Sequence, residues 1–153
     1  MSAESRLKEL NIVLPTPPAP VASYVPSVVS GKNVYISGQV TLAPDGLKYV
    51  GTVGKELSLE DGRAAARLCG LNVIAQAKAA CGGDLERVRR IVKVTVFVNA
   101  VPGFTQHPEV DNGASDLFVE VFGEKGKHAR AAVGAGSLPR NVATEVEAII
   151  EIT

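Results

Sequence analysis

A segment of small and apolar residues between Ser58 and the Gly82-Gly83 pair constrains the fold most. Ser58, with acidic residues two and three positions later, is a typical helix start, because a hydroxyl caps free backbone N–H groups and acids favour the positive end of the helix dipole. Glycine then ends the helix at about Cys81. The side chains are too small and too apolar for a helix surrounded by water, so we expect this helix to lie closely against a sheet. They are Ala64, Ala65, Ala66, Leu68, Cys69, Leu71, Val73, Ile74 and Ala75.

The first part of this sheet is predicted from one strand and one turn. Asn33–Val40 has the composition of a strand and is followed by Thr41-Leu42. Pro44-Asp45-Gly46 is a turn, because proline fixes one backbone torsion and glycine tolerates positive φ. The chain then returns through residues 47–53, so we expect these two segments to form a hairpin.

The C-terminal half predicts a strand, a helix and two further strands. Residues 91–98 alternate, with Val92, Val94, Val96 and Val98 on one face and Lys93, Thr95 and Phe97 on the other. A helix is predicted from Pro108 to Phe122, ending at Gly123. Strands are predicted at 129–135 and 142–152, with a turn at 138–141 between them.

The element order and the length together predict the architecture. The order is ββαβαββ, and 153 residues fit one domain with a single core. A domain of this size builds two layers, so both helices must cover the same face of one mixed sheet. The sequence therefore predicts an α+β two-layer sandwich.

The composition excludes several classes of function. Sixteen Lys and Arg residues balance sixteen Asp and Glu residues, so a broad basic surface for nucleic acid is not expected. We expect no membrane span, since no apolar run approaches the roughly 20 residues required, and no secretory signal at the N-terminus. Cys69 and Cys81 lie roughly 18 Å apart along one helix, which is too far for a disulfide, so we expect two buried free thiols. We also expect no metal site and a cytoplasmic location.

The N-terminal segment has a distinct composition. Five of the nine prolines fall between Pro15 and Pro26, which predicts an extended chain after a short helical turn at 4–10. We divide the chain into an arm, 1–19, and a domain, 20–153. An SH3-type ligand is one interpretation of the arm. A rigid arm laid over the body is favoured, because Val21, Tyr24 and Val25 are apolar and require burial.

The last strand predicts which side of the sheet faces away from the helices. Val146, Ala148, Ile150 and Ile152 are expected to meet the helices, and Glu145, Glu147, Ile149 and Glu151 to face outward. In the preceding strand we expect Ala131, Val133 and Ala135 toward the helices and Arg130, Ala132 and Gly134 outward. We expect these two strands to pair antiparallel, so that Arg130 approaches Glu145 or Glu147, and the register that would decide between the two glutamates stays open.

Two interpretations of this outer face remain. It is either a solvated surface with cross-strand ion pairs, or a face that other subunits cover, since Ile149, Phe97 and Ala132 accompany the charges. In the second case Arg130 becomes a partly desolvated guanidinium that can bind a small carboxylate with two hydrogen bonds. A nearby carboxylate side chain can then position water as an acid or base.

Two groups of residues resemble the signature of the Rid (YjgF) family of reactive-intermediate imine deaminases. One runs from His128 through Arg130, the Leu-Pro turn at 138–139 and the closing Glu145-Val-Glu147-Ala. The other comprises Tyr24-Val25, residues 33–36 and Ser37-Gly38-Gln39. The resemblance covers about Pro20 to Ile152. It implies a chorismate-mutase-like ββαβαββ fold that assembles as a homotrimer around a central barrel, with ligand sites in clefts between subunits.

The resemblance also implies an activity. Members of the family hydrolyse short-lived enamines and imines, such as 2-aminoacrylate, to 2-keto acids and ammonia, with no cofactor and no metal. By this likeness Arg130 holds the substrate carboxylate with help from the backbone amide of Ala132, and Glu145 orients the attacking water. Ala132 stands where many members have cysteine, so any thiol chemistry at this position is lost.

Three further site residues follow from the resemblance, each with a structural alternative. Tyr24 matches a tyrosine that reaches the site across the interface, or it is only a packing anchor. Gly38 matches a glycine whose backbone faces the imine nitrogen, or it only permits close packing. Asn112 matches an asparagine of the second helix, or it lies on the helix surface. Glu147 is interpreted as a structural partner of Arg130 or Lys93.

Two other functions are weighed against hydrolysis. One is a trimer that binds small carboxylates without turnover, as a sensor or a regulatory partner of other proteins. The other is an endoribonuclease, which is disfavoured by the balanced charge, by the few aromatic residues and by the lack of a histidine pair near Arg130.

Overall fold

A five-stranded mixed sheet with two long helices on one face builds the body of the molecule. The computed structural model describes residues 1–17 and 22–153. The helices are α1 (Ala3–Glu9), α2 (Leu59–Ala80) and α3 (His107–Phe122), with short 3₁₀ turns at Leu85–Arg87, Gly123–Gly126 and Pro139–Asn141. The strands are β1 (Ser27–Ser30), β2 (Asn33–Gln39), β3 (Leu42–Ala43), β4 (Gly46–Leu47), β5 (Val88–Asn99), β6 (Ala129–Ala135) and β7 (Thr144–Ile152). The sheet order is β1-β2-β7-β5-β6, and the predicted α+β sandwich is confirmed.

Helix α2 begins and ends where its sequence predicts. Ser58 and Asp61 form a capping box, in which each side chain accepts a hydrogen bond from the other's backbone N–H at 3.1 and 2.9 Å. Cys81 caps the other end, before two glycines with positive φ. A Cβ on Gly70 would lie 3.0 Å from Leu117 of α3, so the small residues of α2 bring the two helices close together.

The predicted first hairpin is wrong in its second strand. Strand β2 pairs with β1, which precedes it, and not with residues 47–53. Gly31 adopts a φ of 63° and closes the tight turn between β1 and β2. The turn at Pro44 is real, but it joins only β3 and β4, which form a separate two-stranded sheet. The sequence Gly31-Lys32, between two short runs of strand-forming residues, is the local signal of this turn.

Strand β6 has a different neighbour from the one predicted. It lies parallel to β5 at the sheet edge, and β7 lies on the other side of β5. The reason is that α3 connects β5 to β6 as a crossover, which makes the two strands parallel. Arg130 therefore pairs with Val94 of β5, and the predicted approach of Arg130 to Glu145 or Glu147 on an adjacent strand is wrong.

The two faces of β7 are as predicted, whereas those of β6 are reversed. Every second residue of β7 from Val146 to Ile152 is buried beneath the helices. In β6, however, Arg130, Ala132 and Gly134 share the helix face, because they pair with the buried Val94, Val96 and Val98. Val133 faces the open side and is 41% exposed. Both sets of β6 residues are mostly small, so alternation could not distinguish the faces.

A register shift in β5 also departs from strict alternation. The pairing with β7 shifts between Ile91 and Lys93, so Ile91 is fully buried and Val92 is only half-buried. The predicted place of Val92 with Val94 on the buried face is therefore wrong, since an irregularity of one residue turns the strand before it.

The N-terminal helix is docked onto the body. The backbone N–H of Ala3 donates to Glu86 at 2.8 Å, Lys78 pairs with Glu4 at 2.8 Å, and Leu7 is buried in the core. Tyr24 and Val25 are 58% and 54% exposed, so their predicted burial does not occur within one protomer. The boundary placed between residues 19 and 20, and the burial predicted for Val21, lie outside the described residues.

Candidate functional site

The guanidinium of Arg130 is held by two side chains of α3. Its Nη1 donates to Oδ1 of Asn112 at 2.8 Å and to Oγ of Ser115 at 3.1 Å. Asn112 and Ser115 are three positions apart and therefore lie on one face of α3. Both protons of Nη1 are engaged, which leaves the Nε and Nη2 edge free of acceptors among the described side chains and backbone. This edge has the fork geometry that binds a carboxylate with two hydrogen bonds.

A histidine fixes the hydroxyl that Arg130 contacts. Nδ1 of His128 lies 2.6 Å from the carbonyl oxygen of Gly126, and Nε2 lies 2.9 Å from Oγ of Ser115. Because a carbonyl only accepts, Nδ1 carries the proton, and Ser115 donates to Nε2. Burial lowers the pKa of His128, which keeps the imidazole neutral near pH 7. Ser115 therefore presents a lone pair to Arg130.

A buried acid lies one turn before Ser115 on α3. Asp111 is fully buried, and neither carboxylate oxygen has a hydrogen-bond partner in the described part of the chain. Burial raises the pKa of Asp111 to about 8, and the charge of Arg130 opposes this shift. The raised pKa favours the protonated, uncharged form of Asp111 at neutral pH.

Helix α3 lies along the helix face of β6. A Cβ on Gly134 would lie 2.9 Å from Nε2 of His107, so the first turn of α3 lies over the end of β6. Ser115, two turns later, contacts Arg130 near the start of β6. Asp111 falls midway between His107 and Ser115 on α3. It is therefore level with the middle of the strand, where the half-buried Ala132 lies.

Glu145 lies on the other face of the sheet, against Gly38. A Cβ on Gly38 would collide with Oε1 of Glu145, so the carboxylate lies against β2 only because residue 38 is glycine. Phe97 pairs with Glu145 across β5 and β7. The pKa of Glu145 is raised, first by burial and then by the negative charge of Glu147. This carboxyl thus retains its proton to a higher pH than an exposed glutamate.

The predicted site residues form two groups within one protomer. Arg130 and Asn112 are in contact on the helix face, and Gly38 and Glu145 are in contact on the open face. Strand β5 separates β6 from β7, so the two groups do not meet inside one chain. Tyr24 lies in the exposed segment before β1. Ser115, His128 and Asp111 were not identified from the sequence, although Ser115 follows Asn112 at the spacing of one helix face.

The described residues hold no group of three or more His, Cys, Asp or Glu side chains able to bind a metal ion. Within the same residues, no helix has the length and hydropathy of a membrane span. Cys69 and Cys81 are buried free thiols, as predicted. Burial raises the pKa of Cys69 to about 12, which disfavours the thiolate that a nucleophilic cysteine requires.

Two relatives, one compared by its sequence and one by its crystal structure, match nearly the whole chain. Protein TCP17 of Trypanosoma cruzi is 47% identical over 149 residues, which cover 97% of this chain and 92% of that protein. The crystal structure of Atu1372 from Agrobacterium tumefaciens, a protein of unknown function, is 45% identical with a TM-score of 0.92, covering 99% of this chain and 93% of that one.

The descriptions of two more distant relatives name an enzymatic activity in one case and a bound small molecule in the other. The 2-iminobutanoate/2-iminopropanoate deaminase of Dermatophagoides farinae is 27% identical, covering 92% of this chain and 94% of that protein. The crystal structure of E. coli TdcF, solved with bound serine, is 25% identical with a TM-score of 0.63, covering 92% of this chain and 98% of that one.

The model of one family matches residues 4–152, and its description is "YjgF/chorismate mutase-like, putative endoribonuclease". This match covers nearly the whole chain, including the Arg130 and Glu145 groups. The resemblance noted from the residues around Arg130 and Gly38 is thereby confirmed. The chain belongs to the YjgF family.

Proposed function

We propose that this protein is a hydrolase that converts reactive enamines and imines of the 2-aminoacrylate type into 2-keto acids and ammonia. The observation that carries the proposal is the guanidinium of Arg130, whose Nη1 is fixed by Asn112 and Ser115 while its Nε and Nη2 edge stays free. The imines in question carry a carboxylate next to the reacting carbon. A relative named for deamination of two such imines supports the same substrate class.

The site we propose is shared between protomers of a homotrimer. Arg130 and Glu145 lie on opposite faces of the sheet, so one substrate can contact both only if they come from different chains. The open face bears exposed Val28, Tyr35 and Val133. Exposure of such an apolar face to water is unfavourable, and a face of this kind is typical of an interface between subunits. In this arrangement the β6 edge of one protomer meets the Gly38–Glu145 group of the next.

The proposed chemistry needs one water molecule and one carboxylate. An enamine substrate first tautomerises to its imine, as a proton leaves nitrogen and another is added at the terminal carbon. Arg130 and the amide of Ala132 hold the substrate carboxylate, which places the imine carbon near Glu145 of the neighbouring protomer. Ionised Glu145 takes a proton from water as the water oxygen bonds to the imine carbon, and the electrons of the C=N bond pass to nitrogen. Glu145 returns this proton to nitrogen, which gives a carbinolamine. The carbinolamine hydroxyl then transfers its proton to nitrogen through Glu145 as the C–N bond breaks, so ammonia leaves and the carbonyl forms.

Positioning accounts for most of the rate increase that this reaction requires. Free imines already hydrolyse in water, so the protein has only to hold substrate and water in the reactive geometry. Gly38 contributes by letting Glu145 lie against β2. As the family resemblance implies, its backbone would face the imine nitrogen. Tyr24 is exposed in one protomer and is therefore free to contact a ligand held by the next.

A coupled assay tests the proposal. A serine or threonine dehydratase generates the enamine, and the appearance of keto acid is followed with and without this protein. We expect acceleration by the wild type and none by Arg130→Ala. Arg89→Ala is the matched control, because Arg89 is an exposed arginine whose partner is Glu151. No acceleration by the wild type, or equal acceleration by Arg130→Ala, would defeat the assignment.

A second candidate is carboxylate binding without turnover. The serine bound to TdcF favours it, since serine carries the same carboxylate group and is not an imine. This candidate predicts that 2-keto acids raise the melting temperature through Arg130 while the coupled assay shows no acceleration.

The endoribonuclease named in the family description finds little support in this chain. Its two histidines lie at different places along α3, His107 in the first turn and His128 against Ser115 and Phe118. Eight to eleven positions along a helix separate their contacts by roughly 12–16 Å, too far for one acid–base pair to act on a single phosphate. RNA cleavage that survives both rigorous purification and Arg130→Ala would revive this function.

A further inference from the structure

Asp111 is a buried carboxyl without a function in the proposed mechanism. It is fully buried, and both of its oxygens lack a hydrogen-bond partner among residues 1–17 and 22–153. Burying a polar group without a partner costs stability, so native proteins contain few such groups. A carboxyl in this condition, on the helix that holds Arg130, requires a reason.

The surroundings of Asp111 identify one charge that acts on it. The other titratable side chains of α3 are His107, Glu109, Asp116 and Glu120. Those with a hydrogen bond or ion pair to α3 are Arg63, Arg67, Arg130 and His128. Arg63 and Arg67 of α2 are paired with Glu60 and Glu120. His128 is neutral near pH 7, and Arg130 is the group whose charge reaches Asp111. The two do not form an ion pair within 4 Å, so their coupling acts through space.

We propose that Asp111 sets the affinity of Arg130 for anions. Uncharged Asp111 leaves the guanidinium free to bind a ligand carboxylate. Ionised Asp111 neutralises the charge of the guanidinium and weakens the binding of that carboxylate. The inference rests on the proposed function only in the binding of a carboxylate by Arg130, not in its hydrolysis. Because Asp111 is fully buried, it cannot touch the ligand and acts as a positioning residue through Arg130. Burial raises its pKa to about 8, which places the change near neutral pH.

Linkage makes the inference measurable. If ionisation of Asp111 weakens carboxylate binding, then carboxylate binding must weaken ionisation of Asp111 by the same factor. Ligand binding near pH 8 therefore takes up protons. Between pH 7 and pH 9.5 His128 stays neutral, since its pKa is lowered, so it does not contribute to this uptake.

The experiment is calorimetric titration of the full chain with pyruvate at pH 7 and pH 9.5, and at pH 8 in buffers of different ionisation enthalpy. We expect the wild type to lose about tenfold in affinity from pH 7 to pH 9.5, because one unit of pKa shift corresponds to a factor of ten between linked sites. We also expect proton uptake at pH 8. Asp111→Asn should show neither effect, and Glu109→Gln, a neighbouring acid on α3, should show both.

The outcomes separate this inference from the proposed function. Equal affinity at both pH values without proton uptake in the wild type would overturn the inference and leave the carboxylate site intact. Retention of both effects in Asp111→Asn would overturn it as well. Failure of pyruvate to bind at pH 7 would overturn the carboxylate site itself and the inference with it. If Asp111→Asn does not fold, the proton uptake of the wild type alone decides.

Discussion

The Nη1 nitrogen of Arg130 lies 2.8 Å from the side-chain oxygen of Asn112. This hydrogen bond joins the edge strand β6 to α3. With the second bond to Ser115 it fixes the plane of the guanidinium, so that the Nε and Nη2 edge has a defined direction. A cation on an edge strand would otherwise sample many rotamers. The helix thus prepares the arginine for a carboxylate before any ligand arrives.

Replacement of Asn112 tests whether α3 orients the guanidinium of Arg130 for substrate binding. We expect Asn112→Ala to raise KM in the coupled assay by about tenfold with a smaller change in kcat, since a hydrogen bond to a charged group contributes about 1.5 kcal/mol or more. Asp116→Ala, an exposed change on the same helix, is the control and should leave KM unchanged. An unchanged KM in Asn112→Ala would show that the guanidinium needs no such support.

The substitution Gly38→Ala tests whether catalysis requires the position of the Glu145 carboxylate against β2. In Gly38→Ala the new Cβ collides with the Glu145 carboxylate and displaces it. We expect kcat to fall by roughly a hundredfold, the lower range for loss of a general base, while pyruvate affinity changes little. Gly136→Ala is the matched control, because a Cβ there has no atom within 4 Å. Full activity in Gly38→Ala would remove Glu145 from the mechanism.

The pH dependence of the rate tests the role assigned to Glu145. Its pKa is raised by burial and by Glu147, and the base must be ionised, so activity should fall on the acidic side. In Glu147→Gln the repulsion is gone and the pKa of Glu145 drops, so the acidic limb of kcat should move to lower pH. Glu151→Gln, whose carboxylate pairs with Arg89, should not move the limb. A shift in the opposite direction would contradict the assignment.

The capping box of α2 tests how the fold supports the site. Ser58→Ala removes the hydroxyl that accepts from the backbone N–H of Asp61. We expect the free energy of unfolding to decrease by about 1 kcal/mol, measured by chemical denaturation. Ser137→Ala, in an exposed loop, should change it by less than about 0.5 kcal/mol. Equal stability of the two variants would show that α2 does not depend on its cap.

The elements that could be predicted are those whose signals are local. The cap at Ser58 and the alternation of β7 act over a few residues, so both were located correctly. The pairing of β6 depends on the path of α3 across the sheet, which no local pattern records. Its faces were reversed because Ala131 and Ala132 fit either side equally well.

The residues of the candidate site also differ in whether they could be predicted from the sequence. Arg130 was identified from the strand pattern and the resemblance, and Asn112 from the resemblance alone. Their contact follows from α3 lying over β6. Ser115 and His128 are ordinary residues in the sequence, and only the fold brings them to 2.9 Å. Asp111 was missed because its burial, not its type, makes it unusual.

Mixed oligomers test most directly the claim that Arg130 and Glu145 of different protomers form one site. Arg130→Ala and Glu145→Gln, each inactive alone, are unfolded together in equal amounts and refolded. With random assembly about one interface in four pairs an intact Arg130 with an intact Glu145, so we predict recovery of about a quarter of the wild-type activity in the coupled assay. No recovery in mixed oligomers verified by mass spectrometry would contradict the account.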